Sequence, residues 1–287
     1  MNSIIADNTV RSLHAYMSAE LSALYDERES KNIIAEIFRH FKNWSRTDVV
    51  MNADSRISES EMLKFHFAVK RIKSGEPLQY VLGVAWFYGL QFEVTNAVLI
   101  PRPETEELVR LLVQKNQMHA PRILDIGTGS GCIAVTLKKE VPGAEIFACD
   151  ISEEALAIAS KNATLNNADI HFSRIDIINE EPQNGPWDII VSNPPYVPES
   201  DKAMMRSQVL EHEPHTALFV RNADALVFYK RIIELSRTQL GTGGLVACEI
   251  HEDKQEQLTN ELTKAGIRDF EFLEDMQGKC RMMFFTK

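Results

Sequence analysis

The sequence is short of the features that mark secreted, membrane-embedded or strongly nucleic-acid-binding chains. Its four cysteines (Cys132, Cys149, Cys248 and Cys280) lie far apart with no paired spacing. They imply neither a disulfide framework nor a thiolate metal motif, and read as small core hydrophobes in a reduced, cytoplasmic chain. No apolar run reaches about 18 residues, so no membrane span is expected. The start, MNSIIADNTVRSLHAYM, has no basic stretch leading into an apolar core, so no secretory signal is expected. Positive charge is not in surplus either, since the formal net charge is −10. Residues 1–75 carry 11 Lys+Arg against 10 Asp+Glu, and the remainder carries 20 against 31. So acidic a body argues against tight nonspecific contact with nucleic acid, which rests on neutralising phosphates. It suits a basic protein partner.

What is present falls into regions of different rhythm. Residues 1–75 have helical spacing. Val10, Leu13, Met17, Leu21 and Leu24 line one face, as do Ile33, Ile34, Ile37, Phe38 and Phe41. In SESEMLKFHFAVKRIKSG, Ser58 and Glu61 form a capping-box pattern, Met62, Phe65, Val69 and Ile72 form the stripe, and Gly75 and Pro77 supply the stop. A small helical bundle is expected. Residues 76–103 form a candidate linker in which WFYGLQFEV reads as a hairpin turning near Gly89. From 104 onward a helix leads into short apolar runs alternating with helical spacing. RILDIG, EIFACD, IHFSRID, WDIIVSN, GGLVACEI, DFEFLED and CRMMFFTK predict an α/β domain with a seven-stranded, largely parallel, Rossmann-like sheet over 104–287.

Two strand ends carry chemistry. LDIGTGSGC sets Gly127, Gly129 and Gly131 between the first of these strands and its helix, where the backbone can approach a ligand and free N–H groups await an anion. The next strand ends on Asp150, an acid able to accept hydrogen bonds from two ribose hydroxyls. The loop departs from the dinucleotide fingerprint G-x-G-x-x-G, because Cys132 stands where that pattern has its third glycine. With Asp125 before it, it resembles the S-adenosyl-L-methionine site of class I methyltransferases. That resemblance implies cofactor contacts from Asp125, Gly127, Thr128, Gly129, Ser130, Gly131, Asp150 and Ile151. Asp176 and the backbone of Ile177 would meet the adenine.

The second strand end is VSNPPYVP. Prolines cannot donate to a ladder, so the strand stops and leaves Asn193 and Tyr196 at its tip. The carboxamide of Asn193 and the backbone carbonyl of Pro194 offer two acceptors to an NH2 group whose lone pair is delocalised. Tyr196 offers a flat face, and Pro195 stiffens the loop. Asn193 is also expected beside the cofactor. Positioning of this kind needs no metal. The motif alone leaves adenine, guanine and glutamine amides open as acceptors. EHEPH at 211–215 reads as an exposed loop rather than a metal site.

GEPLQYVLG, LIPRPETE, ILDIGTGSGCIA, SNPPYVP and EPHTALF together resemble the release-factor glutamine methyltransferase family, across about residues 75–250. The resemblance implies a partner-binding helical domain at 1–75, a hairpin linker and a catalytic domain. It implies N5-methylation of the glutamine in the Gly-Gly-Gln loop of peptide chain release factors, with S-adenosyl-L-homocysteine as product. Asn193, Pro194 and Tyr196 would be the catalytic residues, with Pro195 also cradling the glutamine. A nucleic-acid amino methyltransferase and an inactive binding module of the same fold remain the alternatives. Departures from the family fall at VRNADAL, at His251 and at Ile177.

Overall fold

The computed structural model describes residues 7–205, 207–221 and 224–287. The first six residues of the stretch read for a leader, and Asn222 and Ala223 of VRNADAL, lie outside the described residues. The chain divides into two compact units, Met1–Gly83 with Ser207–His212, and Val84–Arg206 with Glu213–Lys287.

The first unit is a helical bundle whose helices begin on side-chain caps. Thr9 accepts from the Ser12 N–H ahead of α1 (Val10–Leu21), and Asp26 from the Glu29 N–H ahead of α2 (Glu27–Lys42). Reciprocal capping boxes open α3 (Arg46–Met51) through Ser45 and Asp48, and α4 (Glu59–Lys73) through Ser58 and Glu61. Such caps satisfy backbone donors that a helix leaves orphaned and contribute about 1 kcal/mol each. A short α5 (Leu78–Leu82) ends on Gly83, whose φ of 71° is left-handed. The stripes read from the sequence meet in one core of Val10, Leu13, Met17, Leu21, Ile34, Ile37, Phe38, Phe65, Val69 and Ile72. Leu24 does not join them. The helix stops at Leu21, a tight turn carries the Leu24 N–H back to the Leu21 carbonyl at 3.0 Å, and the side chain is left 55% exposed.

The second unit opens with the expected hairpin, β1 (Val84–Phe87) and β2 (Leu90–Glu93). Tyr88 and Gly89 both have positive φ, 53° and 75°, which suits the twist of a two-residue turn. The chain then alternates through α6 (Pro103–Lys115), β3 (Arg122–Ile126), α7 (Cys132–Glu140), β4 (Glu145–Asp150), α8 (Glu153–Leu165), β5 (His171–Arg174) and β6 (Trp187–Ser192). A short strand β7 (Val197–Pro198) follows, then α9 (Ser207–His212), which counts with the first unit, and α10 (His215–Leu218). Strand β8 (Phe219–Val220) pairs with β7. The chain closes with α11 (Val227–Gln239), β9 (Leu240–Glu249), α12 (Gln255–Lys264), β10 (Phe270–Glu274) and β11 (Cys280–Thr286).

All seven expected strands form one sheet in the order β10-β11-β9-β6-β3-β4-β5. Only β11 runs against its neighbours. Leu108, Val109 and Leu112 of α6, Ile133 and Val135 of α7 and Ala163 of α8 pack on one face. Tyr229, Ile232 and Ile233 of α11, with Leu258 and Leu262 of α12, pack on the other. Each large apolar side chain so buried contributes about 1.5–3 kcal/mol. This two-sided burial is why the strands read as continuous apolar runs.

Register aligns the carboxyl ends of the central strands. Ile126 lies beside Cys149 and Ser192, and Ser192 beside Cys248. Strand order reverses at β3, which puts a crevice at that rim.

Candidate active site

A cavity of about 710 Å³ opens at this rim. Its walls include the glycine loop from Gly127 to Ser130, Asp150 and Ile151, Asp176 and Ile177, and Asn193, Pro194 and Pro195. The two strand ends singled out in the sequence therefore line one pocket. Gly131 and Asp125 lie beneath the loop rather than on the wall, and Tyr196 turns its hydroxyl elsewhere.

The glycine loop is tied to β4. The N–H groups of Gly127 and Thr128 both donate to the Cys149 carbonyl, at 2.9 and 3.0 Å. The Gly129 N–H donates to Asp150 Oδ2 at 2.9 Å. Gly129 has a φ of 54° with open space where a Cβ would stand, so its glycine is conformational. Gly131 is steric as well, since an added Cβ would meet Ala159 of α8 at 3.1 Å. On α8, the carboxamide of Asn162 donates to the Ser130 and Glu93 carbonyls, both at 2.9 Å, and accepts from the Glu93 N–H. It fastens the loop to the hairpin.

The donors and acceptors fit a nucleoside carrying a cationic amino-acid tail. Asp150 accepts one backbone N–H on each oxygen, the second from Ser152 at 3.0 Å. Each oxygen keeps a further lone pair for a hydroxyl. Ile151, Ile177 and Ile178 supply apolar wall. Asp125 is fully buried; its Oδ2 accepts from Thr128 Oγ1 at 2.7 Å, while Oδ1 has no partner among the described residues. Burial, opposed by Thr128 and reinforced by Asp150, pushes its carboxyl up to about 7. A buried acceptor without a partner is costly until a donor or cation meets it. At the other end Asp176 is already engaged, accepting from the Ile178 N–H and the Asn179 amide. Arg231 of α11 donates to the Ile177 carbonyl at 2.9 Å and holds this segment in place.

Around Asn193 the structure adds residues that the sequence reading missed. Asn193 Nδ2 donates to Thr105 Oγ1 at 3.0 Å, and Thr105 donates to Glu249 Oε2 at 2.6 Å. Tyr196 OH donates to the other oxygen of Glu249 at 2.9 Å. Thr105 and Glu249 are both buried, and burial raises the Glu249 carboxyl above its usual range. Burial, then Glu249, also lifts the Tyr196 phenol well above 10, so it stays a donor. Glu249 had a signal: like Asp150, it is an acid ending an apolar strand.

Arg102, also on the cavity wall, donates to both oxygens of Glu213, at 2.6 and 2.8 Å. Glu213 is 4% exposed, so at this residue EHEPH is an interior anchor rather than the expected exposed loop. No metal-holding cluster of His, Cys, Asp and Glu occurs among the described residues. Phe87 packs edge-on to Phe92 in the core, away from the cavity wall. No helix among the described residues is long and apolar enough to cross a membrane.

Comparison with known proteins accords with this architecture. Residues 104–219 match a family model described as "Methyltransferase small domain", and residues 12–83 one described as "PrmC N-terminal domain". The chain is 40% identical to the release factor glutamine methyltransferase of Flavobacterium psychrophilum, over 92% of this chain and 94% of that one. It is 42% identical to the protein of the same name from Bacteroides thetaiotaomicron, over 94% and 97%. Among solved structures it resembles a methyltransferase from Pyrococcus furiosus at a TM-score of 0.52 and 18% identity, over 80% of this chain and 99% of that one. The human methyltransferase 10 domain containing protein gives a TM-score of 0.50 at 21% identity, over 69% and 90%. These two likenesses concern the fold.

Proposed function

The chain belongs to the release factor glutamine methyltransferase family, and from that premise we propose that it transfers a methyl group from S-adenosyl-L-methionine to the N5 amide nitrogen of the glutamine in the Gly-Gly-Gln motif of peptide chain release factors. The observation that carries the proposal is the state of Asn193 on the cavity wall. One N–H of its NH2 goes to Thr105, which fixes the sense of the amide and leaves its carbonyl oxygen as an acceptor.

When bound, the cofactor supplies an electrophilic methyl on a sulfonium. Asp150 accepts its ribose hydroxyls. Gly127, Thr128, Gly129, Ser130 and Gly131 shape the backbone cradle for its amino-acid tail, and Asp125 balances the tail's cationic charge from below. Ile151, Ile177 and Asp176 border the adenine.

The substrate amide has little nucleophilicity while its lone pair is delocalised. Asn193 accepts one of its N–H groups and the Pro194 carbonyl accepts the other, which leaves the nitrogen lone pair directed at the methyl. As the new N–C bond forms and the C–S pair returns to sulfur, the nitrogen becomes positive and its protons more acidic. Both hydrogen bonds strengthen toward that state, so they lower the barrier rather than merely bind substrate. Pro195 stiffens the loop, and Tyr196 supports it through Glu249. The helical residues 1–75 serve partner binding, and 76–103 link them to the catalytic region 104–287. A carboxamide satisfies the two acceptors as an adenine would, and the acidic body favours a protein acceptor over a polyanion.

The test is transfer of a labelled methyl group to a purified release factor, with the Gly-Gly-Gln glutamine intact or replaced. Label on the intact factor alone is the expected result. Label independent of that glutamine, or label found only on nucleic acid, rejects the proposal.

A further inference from the structure

We infer that Thr105 and Glu249 are positioning residues that fix which end of the Asn193 carboxamide faces the cavity. The inference rests on the reading of Asn193 as the group that holds the acceptor amide.

An asparagine side chain is nearly symmetric in shape. Turning it end for end exchanges an acceptor for a donor at almost no steric cost. Only the carbonyl end can hold an incoming NH2. A site of this kind therefore needs something that sets the sense of the amide, and the Asn193 loop alone does not contain it.

The sense comes from two other elements. Thr105, in the first turn of α6, is 2% exposed, and its Oγ1 lies between Glu249 Oε2 at 2.6 Å and Asn193 Nδ2 at 3.0 Å. A hydroxyl has one proton to give. As a carboxylate, Glu249 can only accept, so that proton goes to Glu249. The lone pairs of Thr105 are then all it has to offer Asn193, and they select the NH2 end. The carbonyl is left for substrate. On its other side the same carboxylate takes the Tyr196 proton at 2.9 Å. One buried acid thus orders both the amide and the ring of the Asn193–Tyr196 loop.

Packing gives no other reason for an acid here. Glu249 is 2% exposed and ends a strand whose neighbours Cys248 and Ile250 are fully buried and apolar. The hydroxyls of Thr105 and Tyr196 donate to its carboxylate, and no ion pair within 4.0 Å involves it among the described residues. A buried carboxylate held by neutral groups destabilises a fold relative to an apolar side chain of similar size. Its use is directional, since it converts two ambivalent hydroxyls into obligate donors.

The experiment compares wild type, Thr105→Val, Thr105→Ser and Glu249→Gln in the full chain with two readouts. One is the single-turnover rate of methyl transfer to release factor, alongside cofactor affinity by calorimetry. The other is protection of the Asn193 side-chain amide protons by NMR of the ¹⁵N-labelled protein without substrate. Thr105→Val keeps shape but has no hydroxyl; it is expected to lose about 10²-fold in rate and its Asn193 protection, with cofactor affinity within about twofold. Thr105→Ser restores the hydroxyl and is expected to stay within about threefold of wild type in rate, with protection intact. Glu249→Gln can donate to Thr105 and so frees its proton for either neighbour; it is expected to fall between the two. Turnover by Thr105→Val within about threefold of wild type, with Asn193 protection unchanged, overturns the inference. So does loss of cofactor affinity by both Thr105 variants, which makes Thr105 a packing residue. Should wild type fail on release factor while Thr105 still protects the Asn193 amide, the positioning role stands and the substrate assignment alone falls.

Discussion

Several acids in the two units of the chain sit in opposite settings. In the helical unit, acids at helix starts sit at the surface and are paired locally. Asp48 bonds to Ser45, Glu27 to Lys31, and Glu61 to Lys42 and Ser58, which draw the Glu61 carboxyl down to about 2. In the sheet unit Asp125 and Glu249 end strands in the interior, and burial drives both upward. Surface acids that close helix ends help the fold to form. The interior acids Asp125 and Glu249 burden the fold instead. The contrast distinguishes acids whose surroundings favour ionisation from acids whose burial opposes it.

The largest stability effect lies in the helical core. Phe65 is fully buried with its ring centroid 4.8 Å from that of Phe38. Phe65→Ala is expected to cost about 3–5 kcal/mol in denaturant unfolding. Because its core is separate from the cofactor cavity, calorimetry should find cofactor affinity unchanged at low temperature. Affinity falling in step with stability would break the comparison.

Asp125→Asn sharpens it from the other side. With the folded carboxyl at about 7 against 3.8 unfolded, the folded chain keeps a proton that the unfolded chain has lost. Stability from this group is complete below the unfolded value and is lost as pH rises through about 7. Wild type should therefore lose this contribution between those limits, and Asp125→Asn should lose less stability over the same range. The variant's advantage in thermal melts should grow to on the order of 3 kcal/mol by pH 8, while cofactor affinity drops. An advantage that is flat with pH would contradict the assignment.

Asp150→Ala removes the acceptor of the Gly129 and Ser152 N–H groups as well as any ribose contact. Calorimetry should show cofactor binding weakened about 10²-fold. The smallest change is Ser58→Ala, which opens a capping box and should cost about 1 kcal/mol with no effect on turnover. Glu61 has the opposite pH signature to Asp125. Its contribution is present above the unfolded value of 4.5 and is lost as pH falls toward about 2.

Much of the fold was legible because its signals are local. Seven apolar runs gave seven strands, Ser58 and Glu61 gave a helix start, and Gly89 gave the hairpin turn. Leu24 misled because periodicity does not mark where a helix stops. The glycine loop, Asp150 and Asn193 were readable as strand-end chemistry, and one cavity joins them. Thr105 and Glu249 were not. Their bond spans 144 residues and exists only because α6 lies against the end of β9, while Thr105 in the sequence reads as one more residue of a helix first turn. The Arg102–Glu213 pair was hidden in the same way, because its partners lie 111 residues apart.

The account turns on Asn193 acting on the acceptor nitrogen while other residues hold the cofactor. Its most direct test is the single-turnover rate of Asn193→Ala with cofactor already bound. A fall of about 10³-fold, with cofactor affinity within about twofold of wild type, is the result predicted. A rate near that of wild type, or a loss traced wholly to cofactor release, would contradict it.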